Sequence, residues 1–135
     1  VGYVYDDRAW PVVQFRFSGR LTALENDRYF CDSDALLQAA PGFTCVLDGV
    51  AMQMPEVELV RQQANWIRTN RAAIRRVSRG FAIVAPSAVL RGMVRAVLHI
   101  QPLPVAHAVF AELEEGMAWA RERARARPLS QVPPG

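Results

Sequence analysis

The sequence contains no lysine, and all 16 of its basic residues are arginine. Arginine codons are GC-rich and lysine codons are not, so a GC-rich coding bias accounts for the substitution. The net charge is only +3. A nucleic-acid binder carries a dense basic face instead of a small excess, so no nucleic-acid partner is expected. Cysteine is scarce. Cys31 and Cys45 offer neither metal spacing nor a disulfide framework, and both read as small buried side chains. No apolar run reaches 18 residues, which excludes a membrane-spanning helix. No secretory signal pattern is visible either, and the expected compartment is the cytoplasm.

Catalytic signals are equally sparse. There is no glycine-rich phosphate loop and no legible pairing of a nucleophile with a base. The histidines, His99 and His107, stand apart across Pro102 and Pro104 with no cysteine or acid cluster beside them. A metal site needs three or four ligands, so none is expected. No catalytic residue, metal or cofactor is expected, and the protein is not expected to be an enzyme.

What the sequence does have is enough apolar content for a core. Of 135 residues, 51% are apolar, which suits one domain and excludes a fully disordered chain. The domain is expected over residues 1–127, with a flexible tail over 128–135. A β run at Val1–Tyr5 precedes a strand at Trp10–Phe17, where Val13, Phe15 and Phe17 alternate with Gln14 and Arg16. Thr22 and Glu25 form a capping box that opens a helix reaching about Ala40. Phe43–Asp48 reads as a buried strand, and Gly49–Met54 as a loop. A long helix then runs from Pro55 to about Val77, with Val57, Val60, Ala64, Ile67, Ile74 and Val77 on one face. Phe81–Ala85 is a further buried strand. Ser87 caps a helix over Ala88–Ile100, Ala106–Phe110 is a last strand, and Ala111–Ala126 a last helix. The order β-β-α-β-α-β-α-β-α predicts a mixed, mostly parallel α/β sheet of four or five strands with four covering helices.

This order resembles the SpoIIAA-like members of the STAS superfamily. The matching pieces are the Gly19-Arg20-Leu21-Thr22 turn, the Val46-Leu47-Asp48 strand end, Ala82-Ile83-Val84 before Pro86-Ser87, the Arg91-Gly92 helix, and Val109-Phe110 before a helix holding Trp119. The resemblance implies a binding role without catalysis. Similar folds in the CRAL-TRIO lipid-binding group hold apolar ligands. In regulatory STAS proteins, a Ser or Thr after the third strand is phosphorylated, which loosens a partner kinase by adding charge to a docking surface. Here Asp48 resembles the family acid, but no Ser or Thr lies between Cys45 and Arg68. The resemblance therefore implies a regulatory or scaffolding module in bacteria, lacking the usual phospho-switch.

Three groups of residues stand out as candidate sites. The first is Asp48, Val50, Met52 and Met54. Apolar side chains in a connection suggest contact with a partner protein, although they could fold back onto the core. Asp48 is expected to bond the neighbouring helix N-terminus, with acid–base work as the rival role. The second group lies on the Ala88–Ile100 helix, whose polar stripe is only Arg91, Arg95 and His99. Its apolar arc exceeds what one sheet face needs. Leu90, Met93, Val94 and Val97 are thus expected to meet the helix holding Trp119, a second copy in a homodimer, or a lipid or other apolar ligand. The third is Arg68, Arg71 and Arg75. They either form a solvated face favoured by the helix dipole or dock an anion.

Overall fold

Alternation along β2 (Val12–Gly19) divides the molecule into two layers. Val13, Phe15 and Phe17 enter one apolar core, whereas Val12 enters another on the opposite face. The computed structural model describes residues 2–125, so the expected tail at 128–135 lies outside the described residues. Five strands make a single sheet in sequence order: β1 (Tyr3–Asp6), β2, β3 (Phe43–Met52), β4 (Ser78–Val84) and β5 (His107–Phe110). The β1–β2 pair is antiparallel and the remaining pairs are parallel.

Parallel neighbours need crossovers, and crossovers of one hand that advance one way across a sheet put their helices on one face. Here those helices are α1 (Ala23–Leu36), α2 (Val57–Thr69), α3 (Arg71–Val77) and α4 (Ala88–Ile100). After β5 the chain turns back, and α5 (Leu113–Ala124) lies on the other face against Val46, Ala82 and Val84. This architecture rules out one expected cover for α4, because the helix holding Trp119 is across the sheet.

The predicted caps are present. Thr22 and Glu25 make the reciprocal capping box of α1, and Ser87 Oγ accepts from the Leu90 N–H at 3.0 Å. Two differences from the expected elements bear on the site. The long helix breaks at Asn70, where the backbone leaves helical geometry and both Asn70 N–H groups, main chain and side chain, donate to the Trp66 carbonyl. The arginine stripe therefore does not run along one straight helix. Val57, expected on the core face, is 83% exposed. The second difference is that Gly49–Met52 belongs to β3 and is not a loop.

That extension carries a β-bulge. Arg16 pairs with Asp48 but Ser18 pairs with Ala51, so Gly49 and Val50 together oppose Phe17. An extra residue reverses which side chains face each side from that point on. Met52 thereby joins the wall beneath α1–α4. A Cβ on Gly49 would lie 2.8 Å from the Val84 carbonyl oxygen, so only glycine fits the bulge.

Candidate functional site

The two faces of the sheet are covered very differently. On the α5 side, helix and sheet touch through small residues. A Cβ on Gly116 would sit 2.7 Å from Val84 Cγ2, and Ala120 is fully buried. On the other side, α2 buries only Ile67 and α4 only Leu90. Met93, Val94 and Val97, on the inner arc of α4, remain half-exposed, as do Leu59 and Val60 of α2. Arg91 anchors the start of α4 by donating to the carbonyls of Ala85 and Pro86, both at 2.9 Å.

The space these helices leave is a cavity of about 160 Å³ between the sheet and α1, α2 and α4. Its floor includes Phe15, Cys45, Leu47 and Met52, and its roof Val60, Ile67, Leu90, Met93, Val94 and Val97. Among the described residues, no Asp, Glu, Arg or His lines it. Burial pushes the Cys45 thiol and the Tyr29 phenol well above their ordinary pKa, with Cys45 adding to the Tyr29 shift, so both stay neutral.

Four polar side chains reach this wall besides Cys45. Tyr29 is held edge-on by Phe15 and Phe17, with ring centroids 5.5 and 5.1 Å away, and its hydroxyl donates to Gln63 Oε1. Ser33 Oγ donates to the Tyr29 carbonyl at 2.8 Å, and the Trp66 indole N–H donates to Asp34 at 2.8 Å. Gln63 carries no distinguishing signal in the sequence. It falls among the polar positions of α2, and only tertiary packing brings it to a tyrosine 34 residues away.

The structure regroups the predicted sites. Met52 joins Leu90, Met93, Val94 and Val97 around the cavity. Asp48, 7% exposed, belongs to the opposite face. It does not bond a helix N-terminus, as expected from its place beside one. Its Oδ1 accepts from the Val50 N–H at 3.1 Å and its Oδ2 from Gln14 Nε2 at 2.9 Å. The bulge removes Val50 from the strand ladder, and the carboxylate replaces the lost acceptor. Val50 and Met54 are exposed by 48% and 46% and do not line the cavity.

The arginines are likewise dispersed. Arg68 donates to Asn65 one turn back, and Arg71 Nη1 donates to the Pro102 carbonyl at 2.8 Å. Arg75 is exposed in the last turn of α3. Of the histidines, His99 is in the last turn of α4 and His107 begins β5. Among the described residues no group of three His, Cys, Asp or Glu could hold a metal ion, and no helix is long and apolar enough to cross a membrane.

The sheet order and helix placement have a counterpart among solved structures. An uncharacterized protein of the DUF3478 family with a SpoIIAA-like fold, from Shewanella loihica PV-4, superposes with a TM-score of 0.63. The match covers 87% of this chain and 91% of that one, at 11% sequence identity. The fold is SpoIIAA-like. That agrees with the mixed, mostly parallel α/β sheet expected from the element order, now seen with five strands and five helices. At this identity the likeness concerns the SpoIIAA-like fold alone, since one fold hosts many functions. No protein-family model and no curated protein matches the chain.

Proposed function

We propose that this protein is a non-catalytic binding module for a small apolar molecule held between the sheet and the helices α1, α2 and α4. The observation that carries this reading is the under-filled cavity beneath two amphipathic helices that bury one residue each. Apolar cavities of about 150 Å³ accept benzene-sized molecules, so the enclosed part of the ligand is ring-sized or a short chain. The cavity is partly open to solvent, so leaving it empty costs less than the roughly 4 kcal/mol of a closed void of this size, at about 24 cal/mol per Å³. A ligand that restores those contacts is bound through the same term. Methionines at positions 52 and 93 suit a wall that must fit irregular shapes.

Native mass spectrometry of gently purified protein tests this reading. The expected spectrum shows added mass that denaturation removes, and Val94→Trp, which fills the cavity, lowers the loaded fraction. Undiminished loading in that variant places the ligand elsewhere and overturns the assignment.

A second reading, contact with a partner protein, draws on Val50, Met54 and Val57, which are exposed near the C-terminal edge of the parallel strands. Met52 is no test of it, because Met52 lines the cavity. Met54→Asp is the suitable variant. Under this reading it abolishes association, with itself or with another protein, at an unchanged melting temperature. Association that survives Met54→Asp removes this edge as the contact.

A further inference from the structure

We infer that the molecule held in this cavity is neutral and carries one hydrogen-bond-accepting oxygen, a ketone, aldehyde or ester group recognised by the side-chain amide of Gln63. This inference rests on the cavity reading above and adds the chemical class of the ligand.

The polar groups of the wall lead to it by elimination. The Ser33 hydroxyl donates to the Tyr29 carbonyl, and the Trp66 indole donates to Asp34. The Tyr29 hydroxyl donates to Gln63 Oε1. Each of these donors is already engaged, and the Cys45 thiol is only a weak donor. Gln63 Nε2 carries two N–H groups and has no hydrogen-bond partner among the described residues, while its oxygen is fixed by Tyr29. An amide anchored at its oxygen presents its nitrogen in a set orientation at little further entropic cost, which is how a site becomes selective. Tyr29 is itself fixed by Phe15 and Phe17, so the pair is rigid before a ligand arrives.

Charge sets the other limit. No cation among the described residues lines the cavity. A carboxylate placed there would lose its hydration and gain no counter-charge, a cost of several kcal/mol. A carbonyl loses much less and gains a donor. The site therefore selects for an acceptor and against an anion.

Three ring-sized probes separate these terms: acetophenone, its near-isostere α-methylstyrene, in which a methylene replaces the carbonyl oxygen, and benzoate. Titration calorimetry on the native protein is expected to show acetophenone binding about three- to tenfold more tightly than α-methylstyrene, the range for one neutral hydrogen bond. Benzoate is expected to bind at least tenfold more weakly than acetophenone. In the double variant Tyr29→Phe/Gln63→Leu, which leaves neither the phenol nor the amide to donate, the first two probes become equal. Equal affinities in the native protein, or benzoate binding as tightly as acetophenone, overturn the inference while leaving the cavity reading intact. Failure of all three to bind removes the cavity reading, and the inference with it. If the double variant does not fold, the Gln63 side-chain amide resonance of the native protein decides. Acetophenone shifts it and α-methylstyrene does not; the same response to both contradicts the inference.

Discussion

The Asp48 carboxylate accepts a hydrogen bond from the Val50 backbone N–H at 3.1 Å, two residues along the same strand. That contact pins the bulge at Gly49–Val50, and the bulge sets Met52 into the cavity wall. A buried acid within β3 thus shapes a site on the opposite face of the sheet. Asp48→Ala strands the Val50 N–H and Gln14 Nε2 together and is expected to destabilise the fold by about 1–3 kcal/mol. Asp48→Asn keeps one acceptor and is expected to cost less than about 1 kcal/mol. Urea denaturation measures both. A tolerated Asp48→Ala would show that the bulge holds without its acid.

Two helical glycines are expected to respond with opposite signs. Gly116 of α5 has no room for a Cβ, which would meet Val84 Cγ2 at 2.7 Å. Gly116→Ala should lose about 1–3 kcal/mol through overpacking. Gly92 of α4 has nothing within 4 Å of that position, so Gly92→Ala should gain about 0.5–1 kcal/mol from helix propensity. Thermal or urea unfolding of the pair checks whether α5 is tightly seated while this side of α4 is open.

Filling the cavity should separate stability from binding. Val94→Trp is expected to raise stability by about 0.5–2 kcal/mol, the usual yield of cavity filling, while ligand loading falls. A loss of stability would indicate that the space is already occupied by protein.

Acid sensitivity should trace in part to Glu25. Its Oε1 accepts from the Thr22 N–H at 2.9 Å and its Oε2 from the Gly2 N–H at 2.7 Å. The Thr22 contact, then the Gly2 contact, holds the carboxyl below the usual glutamate range. The folded state therefore prefers the charged form. Its contribution is complete above the unfolded pKa of about 4.3 and disappears as pH falls through that value and below. Glu25→Gln should be less stable than the native protein at pH 7, with a smaller gap at pH 3. Urea midpoints at the two pH values measure it, and an equal gap at both would contradict the assignment.

Much of this was legible in the sequence, and the rest was hidden for identifiable reasons. The period-2 run in β2, the Thr22–Glu25 box and the Ser87 cap are local signals, and each is present in the structure. The surplus apolar arc of α4 was also visible, because a polar stripe limited to Arg91, Arg95 and His99 leaves too many apolar positions for one contact. Which body covers that arc depends on the side of the sheet to which α5 returns. That is a property of connectivity and not of α4. The Asn70 break carries neither proline nor glycine. Asp48-Gly49 reads as turn chemistry, so an extended bulge looked like a loop. Tyr29 and Gln63 each appear ordinary on their own helices, and their meeting exists only in the folded chain.

Xenon pressurisation of a crystal tests the central claim most directly, since xenon enters apolar cavities of this size and avoids packed protein. The account predicts a xenon peak between α2 and α4, in contact with Val94 and Leu90 and above Met52. A crystal without that peak, in which the helices close onto the sheet and bury Met93, Val94 and Val97, would contradict it.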